Sequence, residues 1–242
     1  PPHHLFSANT PLYAAVLACA ASTMPQIKLT YLNIQGPAEP TRLALTIGGV
    51  PFEDVRVDRE QMLAMRAAGE LSRADCCGGQ IPQLVVDGKV LHQSMAMATY
   101  CAKLTGLYPD DPWLAAKCDE ATQFIIQDIR GRLIEPSMRG SDEEKAAARA
   151  KLTAESLPEK FGVMERLLAA NPSGWLVGDK LTIADLHLYV LCNWIGMGVL
   201  DGIPKSVITD QPCITALVKK INELPAVDAW NKEKNGGKLP WF

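Results

Sequence analysis

The sequence predicts two halves of different class: an α/β half with helices packed on a mixed four-stranded sheet, then an all-α helical bundle. Three observations predict this. Between Ile27 and about Leu104, strand-like and helix-like apolar runs follow one another as β-α-β, then β-β-α. Asp87-Gly88 stands between two β-rich runs, a strong hairpin signal. Beyond "YPDDP" (108–112) no strand-like run follows, and helical periodicity takes over.

The elements follow in order. "IKLTYLN" (27–33) is a short apolar-rich strand. "AEPTRLALTIGG" (38–49) is a helix, with Pro40 in its first turn and Gly48-Gly49 ending it. "FEDVRV" (52–57) alternates at period two, a second strand, while Arg59 to Gly79 reads as a helical and loop region. "IPQLVVDGKVLH" (81–92) supplies the hairpin, and "SMAMATYCAKLTG" (94–106) a helix with Ser94 as its expected N-cap. A parallel pair joined by a helix, followed by a hairpin, makes a mixed sheet. In the second half, Ser141 with Glu144 and Thr182 with Asp185 form capping boxes at the starts of helices.

Composition excludes several function classes. The 242 residues suit two domains, and 48% hydrophobic residues suffice for a sizeable core. No apolar run approaches the length of a membrane-spanning helix. With 24 basic against 27 acidic residues the net charge is −3, without the basic stripe that nucleic-acid binding needs. Of seven cysteines, Cys76 and Cys77 are adjacent and the other five scattered, without a C-x-x-C, and the four histidines show no ligand spacing. Neither a zinc site nor a dithiol redox motif is expected, and the unspaced thiols suggest a reducing, cytoplasmic compartment. Residues 1–23 are apolar and rich in small residues around Leu12 to Ala21, but no basic stretch precedes them. They read as an upstream extension or non-native remnant, with the domain proper beginning at Met24.

Tyr31 poses the functional question. It stands where the first strand runs out, facing the loop "QGPAE" that opens a helix. One reading is a strand tyrosine that buries its ring and leaves the hydroxyl at the rim. The other is a hydroxyl donor for a bound group.

"KLTYLNIQGPAE", "IPQLVVDGKVLHQSMAMATY" and "GDKLTIADLHLY" together resemble the cytosolic glutathione S-transferases, above all the sigma class, which includes glutathione-dependent prostaglandin D synthases. The resemblance covers Met24 to the C-terminus. It implies a thioredoxin-like glutathione-binding domain over 24–106, a linker over 107–111 and an all-helical domain over 112–242. It also implies a catalytic role for Tyr31, whose hydroxyl donates to the sulfur of glutathione. A free thiol has a pKa of about 8.5, so its thiolate is scarce at neutral pH, and a donor aimed at the sulfur favours the charged form.

The same resemblance implies the rest of the site. Gln80, Ile81 and Pro82 would hold the cysteinyl unit as an added strand, with Pro82 cis so that the Ile81 backbone faces outward. Gln93 and Ser94 would grip the γ-glutamyl carboxylate at a helix N-terminus. Met62 and Arg66 fall at positions that contact the glycyl end, where a guanidinium can be bidentate. Asp128 aligns with an acid that reaches the glutathione amine of the neighbouring subunit, which implies a homodimer. Leu32, Ile34 and Pro37, with residues from about Arg132 to Met138 and the tail "LPWF", would line an apolar pocket for an apolar electrophile. Relatives usually read G-R-A-E where this chain has "GPAE", so Pro37 replaces a cation that helps hold the thiolate. The expected result is an activity that leans on Tyr31 and a weaker case for prostaglandin isomerisation. Neither metal nor cofactor is expected beyond glutathione as co-substrate. A non-enzymatic ligand-binding relative is the alternative from another class. A disulfide exchanger fits worst, because Tyr31 stands where its cysteine is needed.

Overall fold

The structure, a computed structural model, describes residues 24–71, 79–235 and 241. The expected N-terminal extension and most of the insertion with Cys76 and Cys77 lie outside them.

Strand β1 (Ile27–Leu32) leads through a 3₁₀ turn (Gly36–Ala38) into helix α1 (Glu39–Ile47), and β2 (Glu53–Val57) then returns parallel to β1. Helix α2 (Arg59–Ala67) begins at a capping box in which the Asp58 carboxylate accepts from the Gln61 N–H at 2.8 Å. Hairpin strands β3 (Gln83–Val86) and β4 (Lys89–Leu91) complete the sheet in the order β2-β1-β3-β4, with β3 antiparallel to β1. Asp87 and Gly88 both have positive φ, as a two-residue turn that follows the strand twist requires. Helix α3 (Ser94–Leu104) packs with α1 on the sheet. This is the mixed four-stranded sheet expected from the sequence.

The rest is helical among the described residues, again as expected. Helix α4 (Pro112–Gln123) continues in a wider π-type coil over Phe124–Ile134. Helices α5 (Asp142–Lys151), α6 (Leu157–Ala170), α7 (Ile183–Gly196), α8 (Ser206–Thr209), α9 (Pro212–Asn222) and α10 (Pro225–Lys234) follow. Both expected capping boxes are present, at Ser141 and Thr182. The second anchors α7, which is apolar nearly all round and buried at 12 of its 14 positions, as a central helix must be. The Asp185 carboxylate accepts from the N–H groups of Thr182 and Leu176, each at 2.8 Å. Burial pushes its pKa up to about 6, against the pull of those donors.

Hydrogen bonds join the two halves. The Ile183 N–H donates to the Leu107 carbonyl at 2.9 Å, which ties the segment between α3 and α4 to the start of α7. The Trp230 indole N–H, on α10, donates to the buried Glu39 carboxylate on α1 at 2.8 Å. The fold therefore brings the last described helix against the first.

Candidate active site

Strand register decides where the site forms. Thr30 pairs with Gln83, and Leu84 with Leu91, so Tyr31, Pro82 and Gln93 all fall at one end of the sheet. Leu32 pairs with Val57, which puts the start of α2 at that end too. A sheet with this topology collects the loops after β1, β2 and β4 and the loop before β3 at a single edge, where ligands have free backbone to engage.

At this edge the Ile81–Pro82 peptide is cis, as expected. Gln93 has φ +70 and ψ 112, a conformation that non-glycine residues avoid. Such strain persists where the surroundings over-determine it, and here it sits beside a helix start. The expected cap is corrected: Gln93 is the N-cap of α3, and Ser94 is its first helical residue. The hydroxyl of Ser94 and the first N–H groups of α3 thus share one small region. Gln80 is exposed just ahead of the cis bond, and Met62 is half-buried on α2. Arg66 donates from Nε to the Gly79 carbonyl at 2.7 Å, so it braces the loop that leads into Ile81.

Tyr31 is 8% exposed and borders a cleft of about 770 Å³ between the sheet edge and the helical half. Burial raises its pKa above the usual phenol value, while the positive charges of Arg130 and Arg42 pull it down and Glu135 adds a small upward push. The phenol therefore stays protonated at neutral pH and can donate. Gly36 makes room for it: φ is +49 there, and a Cβ would lie 2.9 Å from both Cε1 and the hydroxyl oxygen of Tyr31.

Behind the loop lies Arg42, fully buried and not anticipated from the sequence. Its guanidinium donates to Asp54 at 2.8 Å, to the Ile34 carbonyl at 2.7 Å and to Glu39 at 3.1 Å. Its guanidinium carbon lies 5.9 Å from the Tyr31 ring centre. One cation thus fastens the loop after β1 to both α1 and β2.

The lining of the cleft differs from the expectation. Ile34, Pro37 and Met138 do line the cleft, but Leu32 does not; it packs against the core instead. Of the span from Arg132 to Met138, only Glu135 and Met138 line it. The lining is not apolar throughout: Arg56, Arg130, Arg139 and Lys234 contribute cations. Of the tail "LPWF" only Trp241 is described; its indole N–H donates to Asn193 at 2.9 Å, and its ring packs over Gly196 at the end of α7. Asp128 pairs with Arg132 one turn further along the same helix.

The helix that carries Arg130 explains why the sequence misled. In an α-helix, residues five apart stand about 140° apart around the axis. In the wider coil the Glu135 N–H donates to the Arg130 carbonyl at 2.8 Å, stacking the two residues, and their side chains form an ion pair at 3.0 Å. An α-helical reading of "QDIRGRLIEPSM" assigns these residues to different faces. π segments recur at functional sites for this reason.

Beneath Pro37 a small chamber of about 40 Å³ opens between the loop, the π-type coil and helix α7. Arg130 and His187 both line it. Burial, reinforced by the charge of Arg130, pushes the pKa of His187 down to about 3, so the ring is neutral. Among the described residues no cluster of metal-ligating side chains forms.

The family model for the glutathione S-transferase N-terminal domain matches residues 27–103, and the model for the C-terminal domain matches residues 127–234. The chain belongs to the glutathione S-transferase family. It is 30% identical over 206 residues to glutathione S-transferase S1 of Drosophila melanogaster, covering 85% of this chain and 78% of the fly protein. It is 28% identical over 212 residues to the hematopoietic prostaglandin D synthase of Gallus gallus, covering 87% of this chain and 98% of that protein. Among solved structures, the prostaglandin synthase D of Nilaparvata lugens superposes with a TM-score of 0.75 at 31% identity, covering 87% of this chain and 98% of the insect chain. The family accounts for the thioredoxin-like first half and the helical second half. No described helix is long and apolar enough to cross a membrane.

Proposed function

We propose that this family member conjugates the thiolate of glutathione to electrophiles held in the cleft, with Tyr31 as the hydrogen-bond donor to the sulfur. The observation that carries the reading is a buried, protonated phenol at the mouth of a 770 Å³ cleft, at the same sheet end as cis-Pro82 and strained Gln93. An extended tripeptide laid along that end pairs with the Ile81 backbone and meets Gln93 and Ser94 with its γ-glutamyl carboxylate. Arg66, Met62 and Gln80 flank the glycyl end. Asp128 completes the neighbouring site in a homodimer.

Binding energy spent on the tripeptide then holds its sulfur against the cleft, and the reaction gains from proximity and from a nucleophile already ionised. The electrophile is an apolar molecule that rests on Ile34, Pro37 and Met138. No metal or organic cofactor takes part. The sigma-like motifs favour that class, a cytoplasmic enzyme, and domain limits of 24–106 and 112–242. A prostaglandin isomerase is the second reading, favoured by the similarity to the insect synthase.

The test compares wild type with Tyr31→Phe on a chloronitroaromatic substrate. A hydrogen bond to a charged group contributes about 1.5–3 kcal/mol, so the expected loss in rate is roughly 10- to 100-fold with glutathione still bound. Equal rates in the two proteins would remove Tyr31 from the mechanism.

A further inference from the structure

Few charges act on the Tyr31 hydroxyl, and they are not equivalent. The loop Gly36-Pro37-Ala38 beside it carries none. Arg42 lies nearby, but its donors are consumed by Asp54, Glu39 and the carbonyls of the loop. Arg130 reaches the site from the helical half and lines both the main cleft and the chamber beneath Pro37. Its guanidinium lies 6.0 Å from the Trp194 ring centre, and one ion pair holds it, from Nη2 to Glu135. Its Nε is buried and has no hydrogen-bond partner among the described residues. The guanidinium is thus only partly neutralised by protein partners, and the residue borders the cleft that Tyr31 also borders.

We propose that Arg130 supplies, from the helical half, the positive charge at the thiolate end of the cleft that the Pro37 loop lacks. This rests on the glutathione reading of the site. Its charge is the strongest electrostatic influence lowering the Tyr31 pKa, ahead of Arg42, which agrees with this geometry. When glutathione binds, its thiol proton leaves to water and the sulfur becomes the anion that Tyr31 donates to and Arg130 faces. Arg130 itself stays charged throughout. Glu135 tempers the effect by neutralising part of that charge and holds the guanidinium in place. Arg130 is thus a positioning and charge-supplying residue that acts on the pKa of the nucleophile.

The test titrates the bound thiolate by ultraviolet absorbance in wild type, Arg130→Gln, Arg130→Lys and Glu135→Gln. Arg130→Gln is expected to raise the thiol pKa by about one unit, which is about tenfold less thiolate near neutrality. Arg130→Lys should restore most of it, and Glu135→Gln should lower the pKa below wild type. A wild-type thiol pKa retained in Arg130→Gln, or an effect confined to the KM of the electrophile, overturns the proposal. If Arg130→Gln does not fold, Glu135→Gln decides, and an unchanged thiol pKa there counts against it. A parallel titration of Tyr31 without glutathione, against a Tyr31→Phe background, separates the two readings. Wild type without any bound thiolate defeats the glutathione reading, whereas a Tyr31 pKa unmoved by Arg130→Gln defeats the role given to Arg130.

Discussion

The two walls of the cleft are built on different principles. On the sheet side, position is set by backbone: strand register, a cis-proline and the start of α3 put Tyr31, Pro82 and Gln93 at one edge. On the helical side, position is set by side chains on a coil whose pitch is not that of an α-helix. The first wall suits a ligand recognised through its main chain, where few substitutions are free. The second can change its lining residue by residue while the fold stays fixed.

Arg42 is where this contrast is most exposed to test, because the whole sheet-side loop hangs on it. Arg42→Met leaves Glu39 and the Ile34 carbonyl without their cation, and Asp54 with Arg56 alone. Breaking a buried pair from one side costs about 3–5 kcal/mol, so a large fall in denaturant midpoint is expected together with loss of activity. A variant as stable as wild type would show that the loop is held by something else.

A smaller effect is expected from Gly36→Ala, which sharpens the comparison because it touches only the sheet wall. Left-handed backbone and the collision with Tyr31 together cost about 2–4 kcal/mol. Conjugation should fall more than stability does, since the phenol is what must move. Kinetics beside thermal unfolding will separate the two.

Trp230→Phe probes the join between the walls and should have the smallest effect. It removes the indole donor to Glu39 but keeps the ring near Phe52, whose centre lies 5.8 Å from that of Trp230. Loss of one buried hydrogen bond predicts about 1–3 kcal/mol, visible as a lower melting temperature, with conjugation largely retained. A rate loss as large as that of Gly36→Ala would mean that the walls are coupled through α1.

Local pattern was enough for much of this. Apolar-rich runs and, in "FEDVRV", two-residue alternation marked the strands, Asp87-Gly88 the hairpin, and Thr182 with Asp185 the start of the central helix, because each rests on contacts within a few residues of sequence. Tertiary structure alone decided the rest. Arg42 was not singled out in the sequence; its role appears only where Asp54 and the loop carbonyls close around it. Arg130 drew no notice in the sequence, since its place depends on a π-type coil that no local periodicity announces. Ser94 read as a cap, although the strained backbone of Gln93 takes that position. The sequence determined elements whose partners are near in the chain; the fold decided every group whose meaning lies in partners brought from far away.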